Sequence, residues 1–207
     1  MDATERERIV DILGFWFGPW DEQVPVASAV TKRWFGSSKE LDDECRARFE
    51  PDVIRAATEH YSRWRETAEG SVALVLLLDQ LPRNIYRGTR AAFAQDVIAR
   101  EVTHHAVEQG IHHQLTLPQR LFLYMPLMHS EILEAHDAAR TLFGHLLADA
   151  RAQGSKNLVL YEQAHGSAQK HRAIIERFGR YPNRNAILGR ASTREELEFL
   201  KQPGSSF

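Results

Sequence analysis

The spacing of apolar residues along the chain is helical over most of its length. Apolar residues recur every three or four positions in residues 9–17, 94–106, 128–146 and 161–178. This spacing places apolar side chains on one face of an α-helix. No stretch shows the convincing alternation of apolar and polar residues that marks a half-buried strand. The pattern therefore predicts an all-α fold without strands, a multi-helix array in one domain (residues 1–207) with a flexible tail at residues 202–207.

The most apolar run of the chain passes directly into a polar turn, within residues 71–89. Residues 72–78 are apolar on every side, so a helix here should be buried. The run is too short to cross a membrane, which takes roughly 20 such residues. Because Ser71 can cap a helix and Pro82 cannot continue one, a buried helix is predicted over residues 72–81.

Prolines, aromatic residues and capping residues predict further helix boundaries. Residues 41–69 should form one long helix or two helices divided near Pro51, and Pro126 should break or kink the helix that contains it. The tripeptide Trp-Phe-Gly occurs at residues 16–18 and 34–36, where its aromatic side chains are expected to be packing anchors. Capping-box spacing occurs in two pairs: Thr4 with Glu7, and Ser192 with Glu195.

Length, charge and cysteine content narrow the class of protein. The 207 residues are enough for one domain with its own core. A net charge of -2 gives no general attraction to nucleic acid or to an anionic membrane, so neither partner is expected. The single cysteine excludes an internal disulfide, and the charged N-terminus does not resemble a signal peptide, so a cytoplasmic location is expected. The oligomeric state is not predicted.

Asp79 is the first candidate functional residue. It lies near the C-terminus of the predicted buried helix, where the helix dipole and burial both disfavour a carboxylate, so it needs a cationic partner. Arg83 and Arg87 are the nearest cations, and Asn84 and Tyr86 add hydrogen-bonding groups. Two interpretations remain open: an ion-paired corner that fixes how two helices meet, or the arginine side of a cleft that binds an anion.

Two histidines are candidates for chemistry. His129 and Glu131 follow Pro126, and His171 interrupts the apolar stripe of residues 161–178. His129 is either a half-buried, hydrogen-bonded histidine at a helix start, or an acid, base or ligand with Glu131 as its partner. His171 is either a hydrogen-bonded core residue or a pocket residue.

Two further segments are rich in polar groups. The loop of residues 180–190, RYPNRNAILGR, contains three arginines and two asparagines, which are either solvated or needed by an anion and nearby carboxylates. Four histidines lie around the helix end at Gly110: His104, His105, His112 and His113. Adjacent histidines do not readily converge on one ion, so we expect a solvated patch there, with no metal site and no cofactor.

Three segments carry a family resemblance. They are LLLDQLPRNIYRGT at residues 76–89, QRLFLYMPLMHSE at residues 119–131 and HRAIIERFGRYPNRNAILGR at residues 171–190. Together they resemble the bacterial domain-of-unknown-function family 924. The resemblance implies a helical fold similar to tetratricopeptide-repeat superhelices and implies no established activity. The family usually has Asp where this chain has His112 and often has His where it has Asn183, so a mechanism needing histidine at position 183 is unavailable here.

These observations support three hypotheses about function. In the first, three polar segments converge on a cleft that binds an anionic small molecule or a peptide carboxylate: the central turn after residue 78, the turn of residues 129–131 and the loop of residues 180–190. Asp79 orients an arginine, and the ligand contacts come from Arg83, Asn84, Tyr86, Arg87, His171, Arg180, Arg184 and Asn185. In the second, the protein is an enzyme in which His129 is a general acid or base, oriented by Glu131 or Asp79. In the third, it is a helical interaction scaffold with an exposed apolar groove and no polar pocket.

Overall fold

The computed structural model describes residues 2–205 and contains no strand within them, so the predicted all-α fold is confirmed. A five-residue π-helical turn, Leu76–Gln80, joins α4 to α5, and short 3₁₀ turns lie between several other helices. The α-helices are α1 (Ala3–Phe17), α2 (Ser28–Phe35), α3 (Lys39–Ala57), α4 (Ala68–Val75), α5 (Leu81–Ile85), α6 (Asp96–Glu108), α7 (Leu117–His129), α8 (Leu133–Ala152), α9 (Leu158–Phe178), α10 (Asn185–Leu188) and α11 (Arg194–Leu200).

The core is built around α4 and the turn that follows it. Residues 70–82 are all buried, and α4 packs against α1, α6 and α7. The expectation that this apolar run is a buried central helix is therefore confirmed. The helix α7 is also buried along almost all of its length, and α8 packs between α7 and α9. The polar ends of α5 and α7 are the parts of this core that reach a cleft.

The boundaries of the central helix differ from the prediction. The helix begins at Ala68 instead of residue 72, because the Thr67 side chain caps it by accepting from the Gly70 N–H. It also continues through Pro82, which was expected to end it. In the π turn the Leu81 N–H donates to the carbonyl of Leu76, five residues back. This wider turn accommodates a proline that lacks a backbone donor.

Neither of the other two prolines divides a helix, and α3 ends at Ala57 instead of continuing to residue 69. Pro51 lies inside α3 and Pro126 inside α7. Burial of the apolar residues around each proline outweighs the hydrogen bond that it removes, which costs about 3 kcal/mol in a helix interior. The chain instead leaves the helix after His129, where Ser130 is extended. His129 is therefore the last residue of α7, not a residue of a helix start.

Capping and tail residues are displaced by short distances from their predicted positions. The capping boxes use Asp2 with Glu5 and Thr193 with Glu196, one or two residues from the predicted pairs. Residues 201–205 form turns after α11; the last two residues of the predicted tail, 206 and 207, lie outside the described residues. Within residues 2–205, no helix has the length and apolar character needed to cross a membrane.

The histidine-rich segment is not the solvated patch that its sequence suggests. His104 and His113 are exposed, but His112 is buried, with Nδ1 2.6 Å from the Tyr124 hydroxyl. Burial lowers the pKa of His112 to about 4, so its ring is neutral at neutral pH. The Tyr124 hydroxyl accepts from Nε of Arg120 at 3.1 Å and can donate to His112. This cluster fixes how the segment packs on α7.

The helix α2 covers one side of the cleft. Trp34 is buried, donates from Nε1 to the carbonyl of Trp16 at 2.8 Å, and packs edge-on against Phe17 and Phe122. Phe35, the next residue, is 56% exposed beside the cleft. The aromatic anchor predicted for residues 34–36 therefore packs into the core through its tryptophan and lines the cleft through both aromatic residues.

Candidate functional site

A cleft with two lobes lies among the central helix, the end of α7, α9 and the loop after α9. Its polar lobe has a volume of about 330 Å³ and its apolar lobe about 410 Å³. The two lobes are adjacent, because six side chains line both of them. The residues that line both are Trp34, Phe35, Gln80, Arg83, His129 and His171.

Each lobe has its own additional lining. Hydrogen-bonding and aromatic residues predominate in the polar lobe: Asn84, Arg87, Phe93, Tyr181, Asn183 and Arg184. Apolar residues predominate in the other: Met125, Met128, Phe143, Leu160 and Ala164, with Gln163 and Ser167. The cleft can therefore take a molecule with one polar and one apolar end.

A buried carboxylate orients the imidazole that lies between the lobes. Nδ1 of His129 is 2.8 Å from Oδ1 and 2.9 Å from Oδ2 of Asp79, whose side chain is fully buried. Because the carboxylate accepts, Nδ1 is the donor. The other nitrogen, Nε2, has no hydrogen-bond partner within residues 2–205, and the His129 side chain is 16% exposed at the cleft. Nε2 is thus the nitrogen available to a ligand.

Two neighbours keep Asp79 ionised. Nε2 of Gln80 donates to Oδ2 at 2.5 Å, and Nη1 of Arg83 lies 3.0 Å from Oδ1. Burial alone would raise the pKa of Asp79, but the charges of Arg83 and His129 and the hydrogen bonds hold that pKa below its ordinary value. The cationic partner that Asp79 needs is therefore Arg83, one helical turn further on, and not Arg87.

A second carboxylate, Asp96 at the start of α6, joins two arginines. Nη1 and Nη2 of Arg83 lie 3.0 and 3.1 Å from its two oxygens, and Nη1 of Arg184 lies 3.1 Å from Oδ2. The Arg184 guanidinium is buried between two aromatic rings, 4.7 Å from the centroid of Phe93 and 4.6 Å from that of Tyr181. Burial and the nearby charge of Arg83 lower the pKa of Arg184. Its positive charge is the least compensated in the cleft.

The remaining titratable groups that line the cleft are neutral. Nδ1 of His171 donates to the carbonyl of Ser167 at 2.8 Å, and burial lowers the pKa of His171 to about 4. The Tyr181 hydroxyl donates to the carbonyl of Met128 at 2.5 Å, and burial raises the pKa of Tyr181. These two groups supply shape and hydrogen bonding, and the permanent charges of the cleft come from the aspartates and the arginines.

One bacterial protein family matches most of this chain. The sequence matches the family described as "Bacterial protein of unknown function (DUF924)" over residues 12–204. This chain belongs to that family. A solved structure of a protein of unknown function from Agrobacterium tumefaciens is similar, with a TM-score of 0.77 and 34% sequence identity over 95% of this chain and 98% of that one. A search of curated proteins gave no match. The family resemblance is confirmed, and no activity comes with it.

Several of the predicted ligand contacts of the DUF924 chain do line the cleft. They are Arg83, Asn84, Arg87, His171 and Arg184, together with His129. Arg87 is half-exposed and already bound to Asp42, with Nε 2.7 Å from Oδ2. Tyr86 is not among the lining residues. The convergence of three polar segments is thus present, through fewer residues than the sequence suggests.

Three predicted residues lie elsewhere because they stabilise the C-terminal loop. Glu131 accepts from Arg190 at 2.6 and 2.9 Å and from the Tyr181 N–H, so it does not contact His129. Arg180 forms a bidentate pair with the buried Glu196, and the fully buried Asn185 donates to the same carboxylate. These groups attach the loop to the connection between α7 and α8 and to α11, which in turn positions Arg184.

Sequence reasoning missed several groups of the cleft. Asp96 gave no signal, because an acidic residue in the first turn of a helix is ordinary. Gln80 and Phe93 gave none either, and Asn183 was noted as one of the two asparagines of the loop at residues 180–190 but not as a ligand contact. Within residues 2–205, Nδ2 of Asn84 and Oδ1 of Asn183 are buried and have no hydrogen-bond partner. Buried polar atoms without a partner are uncommon in folded proteins, and these two belong to residues that line the polar lobe. No three His, Cys, Asp or Glu side chains in that range come together as metal ligands.

Proposed function

We propose that this DUF924 protein binds a small amphiphilic carboxylate, with the anionic end in the polar lobe and the apolar end in the apolar lobe. The observation that carries the proposal is the environment of Arg184. Its guanidinium is buried against two rings and shares its one carboxylate partner, Asp96, with Arg83. An incoming carboxylate would accept from its remaining N–H groups and relieve the cost of its burial.

The charges of the cleft support a ligand with a single negative charge. Three arginines line the cleft and three carboxylates pair with them, so the surplus of arginine expected from the sequence is absent; the arginines are Arg83, Arg87 and Arg184, and the carboxylates are Asp42, Asp79 and Asp96. The N–H groups of Arg184 that Asp96 does not occupy can donate to one carboxylate, whereas a doubly charged phosphate would bring a second charge that the cleft does not compensate.

The apolar lobe supports an apolar group attached to that carboxylate. Met125, Met128, Phe143 and Leu160 line it, and burial of apolar surface yields roughly 25 cal/mol per Å². Methionine side chains adapt to the shape of such a group. Lobes of about 330 and 410 Å³ suit a small molecule. The scaffold hypothesis called for an apolar groove without a polar pocket, and this cleft has polar lining, so no observation favours that hypothesis.

The test compares two ligands of the same size, one with a carboxylate and one with a neutral amide in its place. Calorimetric titration with 4-phenylbutyrate and with neutral 4-phenylbutanamide should give about tenfold or greater preference for the carboxylate, equivalent to about 1.4 kcal/mol. Arg184→Met should abolish the preference. The control is Arg177→Met, because Arg177 is half-exposed and pairs with Glu195 away from the cleft. Equal affinities for the two ligands, or an unchanged preference in Arg184→Met, would contradict the proposal.

A further inference from the structure

We infer that the cleft hydrolyses an ester that carries a carboxylate, with His129 as the general base; this activity rests on the binding function proposed above. The position of His129 is the starting observation. The residue lines both lobes, so a molecule that extends from the polar to the apolar lobe passes its imidazole.

The hydrogen bonding of His129 fixes the tautomer that a general base requires. The ionised carboxylate of Asp79 accepts from Nδ1, so in the neutral ring Nε2 is unprotonated and can accept a proton. Asp79 also stabilises the imidazolium that forms when Nε2 is protonated. Gln80 and Arg83 each contact the Asp79 carboxylate and fix its orientation. Asp79 is therefore a positioning residue, which acts through His129.

Water is the nucleophile in this arrangement. Nε2 of His129 has no hydroxyl or thiol within hydrogen-bond distance among residues 2–205, so no side chain is placed for activation. Nε2 takes a proton from water as the water oxygen bonds to the ester carbonyl carbon. The bond between that carbon and the alkoxy oxygen then breaks, and the proton passes from Nε2 to the departing oxygen. Ester and water give a carboxylic acid and an alcohol.

Arg83 is placed to stabilise the negative charge that develops on the carbonyl oxygen. It contacts Oδ1 of Asp79 at 3.0 Å, and His129 contacts the same oxygen at 2.8 Å, so the two side chains are neighbours in the lining of both lobes. Nε of Arg83 has no partner within residues 2–205. A preorganised donor beside a general base is the arrangement that stabilises an oxyanion.

The lobes determine which ester fits. The carboxylate of the substrate binds Arg184 in the polar lobe, the scissile carbonyl lies at His129, and the apolar leaving group occupies the lobe formed by Met125, Met128 and Leu160. The mono-4-nitrophenyl ester of glutaric acid has these three parts in this order. Its matched control, 4-nitrophenyl butyrate, lacks only the carboxylate.

The experiment measures release of 4-nitrophenolate by the full-length protein. Each ester's rate in buffer is subtracted, because the carboxylate of the glutarate monoester attacks its own ester; after this the monoester should be hydrolysed with a kcat/KM about tenfold or more above that of the butyrate ester. His129→Gln should lower the rate by about 10²-fold or more. It leaves the other histidines of the chain in place, so hydrolysis by surface imidazoles would persist in it. Arg184→Met should remove the preference between the esters by raising KM for the monoester.

The role of Asp79 in positioning His129 is tested by the pH profile of kcat. Asp79→Asn should lower kcat and change the pH profile of kcat, because an amide no longer fixes the tautomer or stabilises the imidazolium. A purely structural role would leave the profile of the remaining activity unchanged. If a thermal melt shows that His129→Gln is unfolded, His129→Ala with added imidazole replaces it, and imidazole should restore turnover.

The outcomes separate hydrolysis from binding. If 4-phenylbutyrate binds but the monoester is hydrolysed no faster than in buffer, the hydrolytic proposal fails and the binding proposal stands. Turnover that persists in His129→Gln, or equal rates for the two esters, also overturns the hydrolytic proposal. If 4-phenylbutyrate does not bind and the monoester is not turned over, both proposals fail.

Discussion

Nδ1 of His129 lies 2.8 Å from Oδ1 of Asp79, although 50 positions separate the two residues in the chain. The contact joins the end of α7 to the π turn of the central helix, so it links the two most deeply buried elements at the point where both reach the cleft. The same contact gives the imidazole one committed nitrogen and one available nitrogen. Structural and chemical roles therefore depend on the same two side chains.

Removal of the buried carboxylate should be costly. Asp79→Ala leaves Arg83 without one of its two carboxylate partners and His129 without its acceptor. Breaking a buried ion pair on one side costs about 3–5 kcal/mol, so the free energy of unfolding in urea should fall by about that amount. The matched control is Asp137→Ala, which removes a half-exposed partner of Arg172 and should change stability little. Similar losses in both variants would contradict this account.

Stability should fall as the pH drops from about 6.5 to 4. Burial lowers the pKa of His112 and His171 to about 4, and it also lowers the pKa of His136. In the unfolded chain these histidines titrate near pH 6.5. Between these values the unfolded chain binds more protons than the folded chain, so the free energy of unfolding decreases with falling pH, by about 1.4 kcal/mol per pH unit for each extra proton.

Protonation of the Glu196 carboxylate should lower the free energy of unfolding in a second, more acidic pH range. The pKa of Glu196 is lowered to about 2, first by its hydrogen bond to Arg180, so its contribution is lost only as the pH falls below about 4.5. Urea unfolding measured in steps of pH separates the two windows. His112→Asn should reduce the slope between about pH 6.5 and 4 and leave the more acidic window unchanged. An unchanged slope would show that His112 is not neutral in the folded protein.

Two arginines of the C-terminal loop should behave differently. Arg180→Met should lower stability, because the buried Glu196 loses its bidentate partner, but it should leave the affinity for 4-phenylbutyrate close to that of the wild type. Arg184→Met should lower that affinity about tenfold or more. Calorimetric titration at a temperature where both variants are folded makes the comparison. A larger loss of affinity in Arg180→Met would favour the assignment of Arg180 as a ligand contact that its sequence suggests.

A larger side chain in the apolar lobe should lower the affinity for ligands that reach that lobe and leave the affinity for shorter ligands unchanged. Ala164 lines only that lobe, so Ala164→Phe should weaken 4-phenylbutyrate about tenfold or more by steric exclusion of its ring. The affinity for acetate, which occupies only the polar lobe, should not change. The same titrations supply both values. If Ala164→Phe lowered the affinity for both ligands equally, the two lobes would not be independent parts of one binding site.

The part of the site that lies within one helix could be predicted from the sequence. Asp79 and Arg83 are four positions apart, and residues at that spacing are neighbours on a helix, so a buried carboxylate could be matched with its cation. The buried character of residues 72–78 was predictable for a similar reason, since a run without polar positions has no face to expose. Both inferences depend on local periodicity alone.

The part of the site that depends on tertiary contacts was not predictable. Glu131 is close to His129 in sequence, but the extended Ser130 separates them and Glu131 binds Arg190 instead. Asp96 resembles any acidic residue in a first helical turn, and only the packing of the chain brings Arg184 to it. A single sequence contains no information on which distant charges become neighbours. The similarity to tetratricopeptide-repeat superhelices likewise remains a prediction.

The π turn at Leu76–Gln80 has a consequence for the family as well as for this chain. A π turn contains one more residue than the α-helical turn it replaces, and each helical residue rotates the following side chains by about 100°. The turn therefore acts as an angular offset between the core half of the helix and the half that carries Arg83 and Asn84. Relatives that lack the additional residue would present a different helix face to the cleft, and so a different ligand chemistry, on the same core.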